Sequence, residues 1–306
     1  MVTRIGHIAL HVADLDRAVD FQQHVIGMVE TERVAGTSYL TCNDRHHELI
    51  LVEDRANRGY EHIGLEVAGT SALDGAARRL TASGGTMLGS VYDGEPGIDR
   101  ALKVRSPGGH VYKLFCGMER VEPPPAGDRP THFEHVSRKV RDHGAEERFL
   151  TDGLGFRLSD RMGFLASWWH CDDDHHGIAI TRAPRSELSH YAYQWSDFAA
   201  LGRVADRLKA ARGRKCIWGP SRHGPGNNHF LYLHDEDGAM IECCSELARM
   251  EADGYQPKNW SMRPRTINQW GGPPPLRFLL TGFPIAAPQP GRPAWAMRPD
   301  RTPAAA

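Results

Sequence analysis

The chain carries one plan twice, and that constrains its fold more than any other feature. HIALHV at 7–12 returns as HVSRKV at 135–140. The helix-like LDRAVDFQQHVIG (15–27) returns as AEERFLTDGLG (145–155), each closing on a glycine turn. DRHHELIL (44–51) matches DDHHGIAI (173–180), EHIGLEV (61–67) matches SHYAYQW (189–195), and SPGGHVYKLFC (106–116) matches DEDGAMIECC (235–244). His62 follows His7 by 55 positions, and His190 follows His135 by the same 55. Lys113 and Glu242 each stand four residues beyond a turn glycine, Gly109 and Gly238. Self-similarity on this scale marks a duplicated supersecondary unit. Each half reads as strand–helix–strands followed by strand–helix–strands, with period-2 alternation in the strands, so the expected class is α+β.

The boundaries follow from composition. VEPPPAGDRP (121–130) continues neither a helix nor a central strand, which makes it a linker between an N-terminal unit at 1–120 and a C-terminal unit at 131–250. Residues 251–306 are rich in Pro, Gly and Arg and show no period. They are expected to form an irregular tail, packed on the body through Trp260, Trp270 and Phe278 and frayed over the last ten residues.

Lys plus Arg number 37 against 38 Asp plus Glu, which gives no footprint for nucleic acid or an acidic membrane. No apolar run approaches the roughly 18 residues of a membrane span, and the polar N-terminus carries no export signal, so the expected setting is the cytoplasm. The six cysteines lack CxxC spacing and read as reduced thiols. Vicinal Cys243–Cys244 reads as packing, with no nearby base to favour a thiolate.

The 17 histidines carry the chemical signal. In the second half, the strand residues His135, His190 and Glu242 offer two imidazoles and one carboxylate. This is the set that holds Fe(II) on one face and leaves positions open for substrate and O2; Mn(II) suits the same ligands. A buried glutamate facing a sheet interior is costly unless paired or ligated. The first half keeps His7 and His62 but has Lys113 where Glu242 stands. An ammonium repels a dication, so this half is expected to be a metal-free scaffold. His229 and His234 match nothing and read as surface, while Trp168, Trp169 and Trp195 read as core, one of them available to line a pocket.

The stretch SRHGPGNNHFLYLHDEDGAMIECC (221–244) resembles the signature of the type I extradiol ring-cleavage dioxygenases of the vicinal-oxygen-chelate superfamily, and the resemblance covers roughly residues 3–247. It implies two tandem domains of paired βαβββ modules, each an incomplete barrel around a site. It also implies His135, His190 and Glu242 as iron ligands, and His223 and Tyr232 as groups beside a bound catechol. One of His175 and His176 corresponds to the acid–base histidine. His176 is favoured, since a one-residue shift along a strand reverses the face. The implied partners are a catechol-type diol and O2, in a homo-oligomer. Glu236 and Ser221 depart from the usual residues of the signature without touching a ligand position. The alternatives are a glyoxalase-like metal-dependent lyase or isomerase, or a non-catalytic binding protein of the same superfamily.

Overall fold

The computed structural model describes residues 2–212 and 214–287, and the duplication is visible as two nine-stranded mixed sheets. In the first, the strand path runs Val29–Val34, Thr37–Thr41, Leu49–Glu53, Val2–Val12, Gly59–Val67, Val111–Cys116, Arg100–Arg105 and Thr86–Met87, with Tyr92–Asp93 also on Arg100–Arg105. The second repeats that order as Arg157–Met162, Ala166–His170, Ile178–Arg182, His132–Val140, Glu187–Trp195, Met240–Ser245, His229–His234 and Trp218–Arg222. Both paths are open. The described part of the 121–130 stretch holds neither helix nor strand, as its prolines require.

Local structure repeats to the level of caps. Asp14 and Asp142 each accept a hydrogen bond from the backbone N–H three residues on, of Arg17 and Ala145, which starts the two helices. Each helix then widens into a π-turn, Gln22–Ile26 and Phe149–Leu154, and ends at a left-handed glycine, Gly27 at φ 96° and Gly155 at φ 81°. Phe198–Arg212 buries Ala200, Leu201, Val204 and Leu208, the stripe expected of a helix laid on a sheet.

One continuous hydrophobic core draws on both halves. A polar pin crosses it. Glu146, in the second half, accepts from Arg138 Nη1 at 2.5 Å, from the Tyr112 hydroxyl at 3.2 Å and from the Gly108 backbone N–H at 2.9 Å, the last two from the first half. Burial, the largest influence, opposes its ionisation, but Arg138, His110 and Ser106 together outweigh it and hold the carboxyl below its ordinary range. His110 Nε2 bonds the Lys139 carbonyl at 2.9 Å beside it.

The tail departs from the expectation of irregularity. Lys258–Asn259 adds a ninth strand beside Arg157–Met162, and Pro264–Ile267 and Leu276–Leu280 are short helices. Phe283 pairs with Leu188 and Ile285 with Tyr60, so the tail is stitched to both sheets. The order was hidden because its elements are two to five residues long and owe their form to the surface they lie on. Trp270 packs on Phe198 but stays 55 % exposed. The last ten residues lie outside those described. Among the described residues, no helix is long and apolar enough to cross a membrane.

Two outcomes follow. Glu146→Ala strands the Arg138 guanidinium in the core and lowers unfolding free energy by about 3–5 kcal/mol, measured by urea denaturation. Acid sensitivity comes from imidazoles buried uncharged. Burial, with Lys113 next, lowers His62 to about 4, and burial, with Arg138 next, lowers His110 to about 4. The unfolded chain binds these protons below its ordinary value of 6.5 while the folded chain refuses them. Stability is therefore complete above that value and falls as pH drops from there towards 4, by roughly 1.4 kcal/mol per unit per histidine. A Tm flat across that interval contradicts it.

Candidate metal centre and its cavity

Strand register brings the three predicted ligands together. His135 lies opposite Ala192, Ser137 opposite His190, and Ala192 opposite Glu242 across the next strand. Irregularities in the pairing at Phe133/His135 and Ser137/Arg138 bracket this segment, and the first half repeats them at Ile5/His7 and Ala9/Leu10. Glu242 is 1 % exposed. Its Oε2 lies 3.1 Å from His135 Nε2 and 3.1 Å from His190 Nε2, and it accepts from the Tyr232 hydroxyl at 2.7 Å. Oε1 accepts from Asn228 Nδ2 at 3.0 Å. Burial pushes this carboxyl up, but His135 leads the groups that outweigh it and hold it well below the ordinary range. Burial lowers His190 despite Glu242.

The residues fit a cation. The ligand atoms of His135, His190 and Glu242 all lie within 4.8 Å of one another, and buried His135 Nδ1 has no partner. Donors at about 2.0–2.2 Å from one ion stand roughly 3 Å apart at right angles, the spacing found here. Two imidazoles and one carboxylate are the donor types of the facial set.

The set forms the floor of a cavity of about 180 Å³. Trp168, Trp218, Leu165 and Met162 are among its walls, with Ile267, Phe278 and Leu279 contributed by the tail. His176, His223 and Tyr232 face it. His223 Nδ1 donates to the Ile267 carbonyl at 2.5 Å, which leaves Nε2 3.0 Å from the Tyr232 hydroxyl and 3.5 Å from Glu242 Oε1. The His175/His176 pair divides. His176 lines the cavity with its ring 4.3 Å from that of His135, whereas His175 does not reach the cavity. His175 Nδ1 lies 3.0 Å from His176 Nδ1, and its Nε2 lies 3.2 Å from Asp160 Oδ2. Tail groups anchor Asp160: the Tyr255 hydroxyl donates at 2.8 Å, Trp260 Nε1 at 2.6 Å and the Lys258 backbone N–H at 2.8 Å. Burial, then His135, holds His176 well below its ordinary value.

Sequence reasoning passed over Asn228, although it stands in the signature stretch; an amide in a Gly/Asn-rich loop gave no signal that it would reach a carboxylate. Asp160 was missed as well, since its partners are supplied by the tail. His229, read as surface, is buried, packed beside Arg222 and Ser245, because the tail and Phe198 cover it. Trp168 is the tryptophan of the three that lines the cavity; Trp169 and Trp195 are core. Both thiols of Cys243–Cys244 are buried and pushed up by burial, which fits packing.

In the first half His7 and His62 meet at 3.1 Å between Nε2 atoms, with the His47 ring 4.7 Å from His7. Lys113 lies opposite Gly64, the register position equivalent to that of Glu242 opposite Ala192, and is fully buried against Glu95.

A family model described as the glyoxalase/bleomycin resistance protein/dioxygenase superfamily matches residues 4–112 and 132–243, one segment in each half. The chain therefore belongs to that superfamily. Among curated relatives, the metapyrocatechase of Geobacillus stearothermophilus is 26 % identical over 312 residues, which spans 93 % of this chain and 94 % of the relative. The crystal structure of homoprotocatechuate 2,3-dioxygenase from Arthrobacter globiformis shares the fold at TM-score 0.85 and 22 % identity, covering 94 % of this chain and 93 % of that one. A Mn(II)-bound glyoxalase from Novosphingobium aromaticivorans superposes at TM-score 0.82 with 28 % identity, over 94 % and 95 % of the two chains.

Glu242→Ala is expected to abolish metal retention at this site, read by metal analysis after gel filtration with Fe(II). Lys113→Met strands the buried Glu95 carboxylate and is expected to lower stability, while metal content per folded chain at this site stays unchanged because the ion pair lies in the other half.

Proposed function

We propose that this chain opens the ring of a catecholic diol beside its hydroxyls, consuming O2, with one Fe(II) held by His135, His190 and Glu242. A single observation carries the reading. Two imidazoles and a carboxylate converge on the floor of an apolar-walled cavity that three further proton-bearing side chains, His176, His223 and Tyr232, also face. The likeness to a metapyrocatechase along nearly the whole chain supports it. The bound metal supplies adjacent open positions for a chelating diol and for O2, and a path for electron density between them.

The chain's own residues supply the rest. Trp168, Trp218 and Phe278 clamp the ring and exclude water. Buried and unprotonated, His176 would take the proton of a substrate hydroxyl and give it back as the O–O bond breaks, both oxygen atoms staying in the product, which requires a base whose neutral form persists at working pH. His175, lying beside Asp160 with its Nδ1 3.0 Å from His176 Nδ1, backs that ring. His223 Nε2 and the Tyr232 hydroxyl hydrogen-bond the oxygens and fix their placement. In this division of labour the 1–120 unit is scaffold, 131–250 carries the chemistry, and the tail from 251 completes the cavity wall.

A second reading, a metal-dependent lyase or isomerase, is favoured by the likeness to the Mn(II)-bound glyoxalase. Anaerobic reconstitution with Fe(II) or Mn(II), followed by air-saturated catechol, 3-methylcatechol or 2,3-dihydroxybiphenyl, separates the two. The expected result is one O2 consumed per diol and growth of a yellow, pH-dependent product, fastest with Fe(II). Stoichiometric metal without O2 uptake on any diol would sink the proposal and leave the lyase. His176→Ala should keep its metal and lose roughly 10²–10⁴-fold in kcat.

A further inference from the structure

A second group of potential ligand atoms lies outside the cavity, two from the strand that bears His135 and one from the loop before His175–His176. His132 Nε2 stands 3.2 Å from Glu134 Oε2 and 3.8 Å from Asp174 Oδ2, and a ligand atom from each of the three lies within 4.8 Å of the others. The Glu134 side chain is 1 % exposed and its Oε1 has no hydrogen-bond partner. With its amide turned to satisfy both ends, Gln194 donates to Oε2 at 3.2 Å. Arg249 lies outside, 3.0 Å from Asp173 and 3.3 Å from Asp174 Oδ1, so Asp174 Oδ2 is left to face His132. Oε2 is the oxygen that faces His132, whose side chain, like that of Asp174, is 26 % exposed, while buried Oε1 lacks a donor, a cost that a cation on this carboxylate would offset.

The duplication shows what is missing. In the first half, Gly6 precedes His7, and Arg45 precedes the His46–His47 pair; Arg45, 3 % exposed, bonds Glu66 at 2.8 Å. A fixed guanidinium thus ties the loop before the histidine pair to the end of the Gly59–Val67 strand. In the second half, Glu134 precedes His135, Asp174 precedes His175–His176, and Gln194 stands near the end of Glu187–Trp195 as Glu66 does in its own strand. The internal cation has been exchanged for carboxylates.

We propose that His132, Glu134 and Asp174 form a second divalent-cation site, whose two carboxylates and one imidazole suit Mn(II) rather than a thiolate-seeking ion. The ion replaces the arginine of the first half. It clips the loop that leads into His175–His176 to the residue next to His135, and so sets the distance between the metal-bearing strand and His176. The site stands whether or not the cavity cleaves diols.

The test counts bound Mn(II) by electron paramagnetic resonance on full-length protein stripped by chelator. The wild-type chain is expected to bind two ions, and Glu242→Ala one. Adding Asp174→Asn or Glu134→Gln to Glu242→Ala removes that remaining ion, and Mn(II) then no longer raises Tm, as it does in Glu242→Ala alone. Should one acid variant fail to fold, the other carries the test. A Glu242→Ala protein that binds no Mn(II), or one whose ion survives both acid substitutions, overturns the proposal.

Discussion

A carboxylate cannot be placed in the middle of an apolar sheet without donors or a cation to receive it, and Glu242 is such a carboxylate. Its requirement organises the second half. His135 and His190 reach the same oxygen, Tyr232 donates to it, and Asn228 closes the other. These groups come from four parts of the chain that register alone brings together, so a one-residue slip in any of the strands would turn a ligand to the wrong face. The cost of that error is a specificity device, since the correct pairing is the one in which every buried charge is met.

The two halves show how one frame accepts two solutions to the same problem. Where the second half gathers two imidazoles and a tyrosine on the Glu242 carboxylate, the first has Lys113 with Glu95 alongside, a cation built into the chain. Burial lowers Lys113, and Glu95 opposes that change. The surrounding imidazoles of His7, His47 and His62 remain uncharged beside it. The caps at Asp14 and Asp142 and the paired π-turns were retained in both halves, because they serve packing and are indifferent to what fills the centre.

Most of the frame was legible because duplication tests each reading against its copy. The equal spacing of His7–His62 and His135–His190 identified the register before any strand was placed, and the turn glycines located Lys113 and Glu242. His176 rather than His175 could be favoured but not fixed, since a one-residue shift along the chain exchanges their faces. The roles of Asn228 and Asp160 were not legible, for their partners lie across the sheet or in the tail. The tail itself had no copy to compare with, and its short helices owe their existence to contacts with the body rather than to any pattern of their own.

The tail pairs with one sheet through Phe283 and with the other through Ile285, and on its way supplies Ile267, Phe278 and Leu279 to the cavity. It follows both halves in the chain and is synthesised after them. A nascent chain that has finished the second half already owns its ligands, yet the cavity roof and the anchors of Asp160 are still to come. The candidate ligand set is thus complete in composition before it is complete in shelter. Ile267, Phe278 and Leu279 are therefore the last wall residues the ribosome delivers, and the polar cluster around Glu242 is more open to solvent until they arrive.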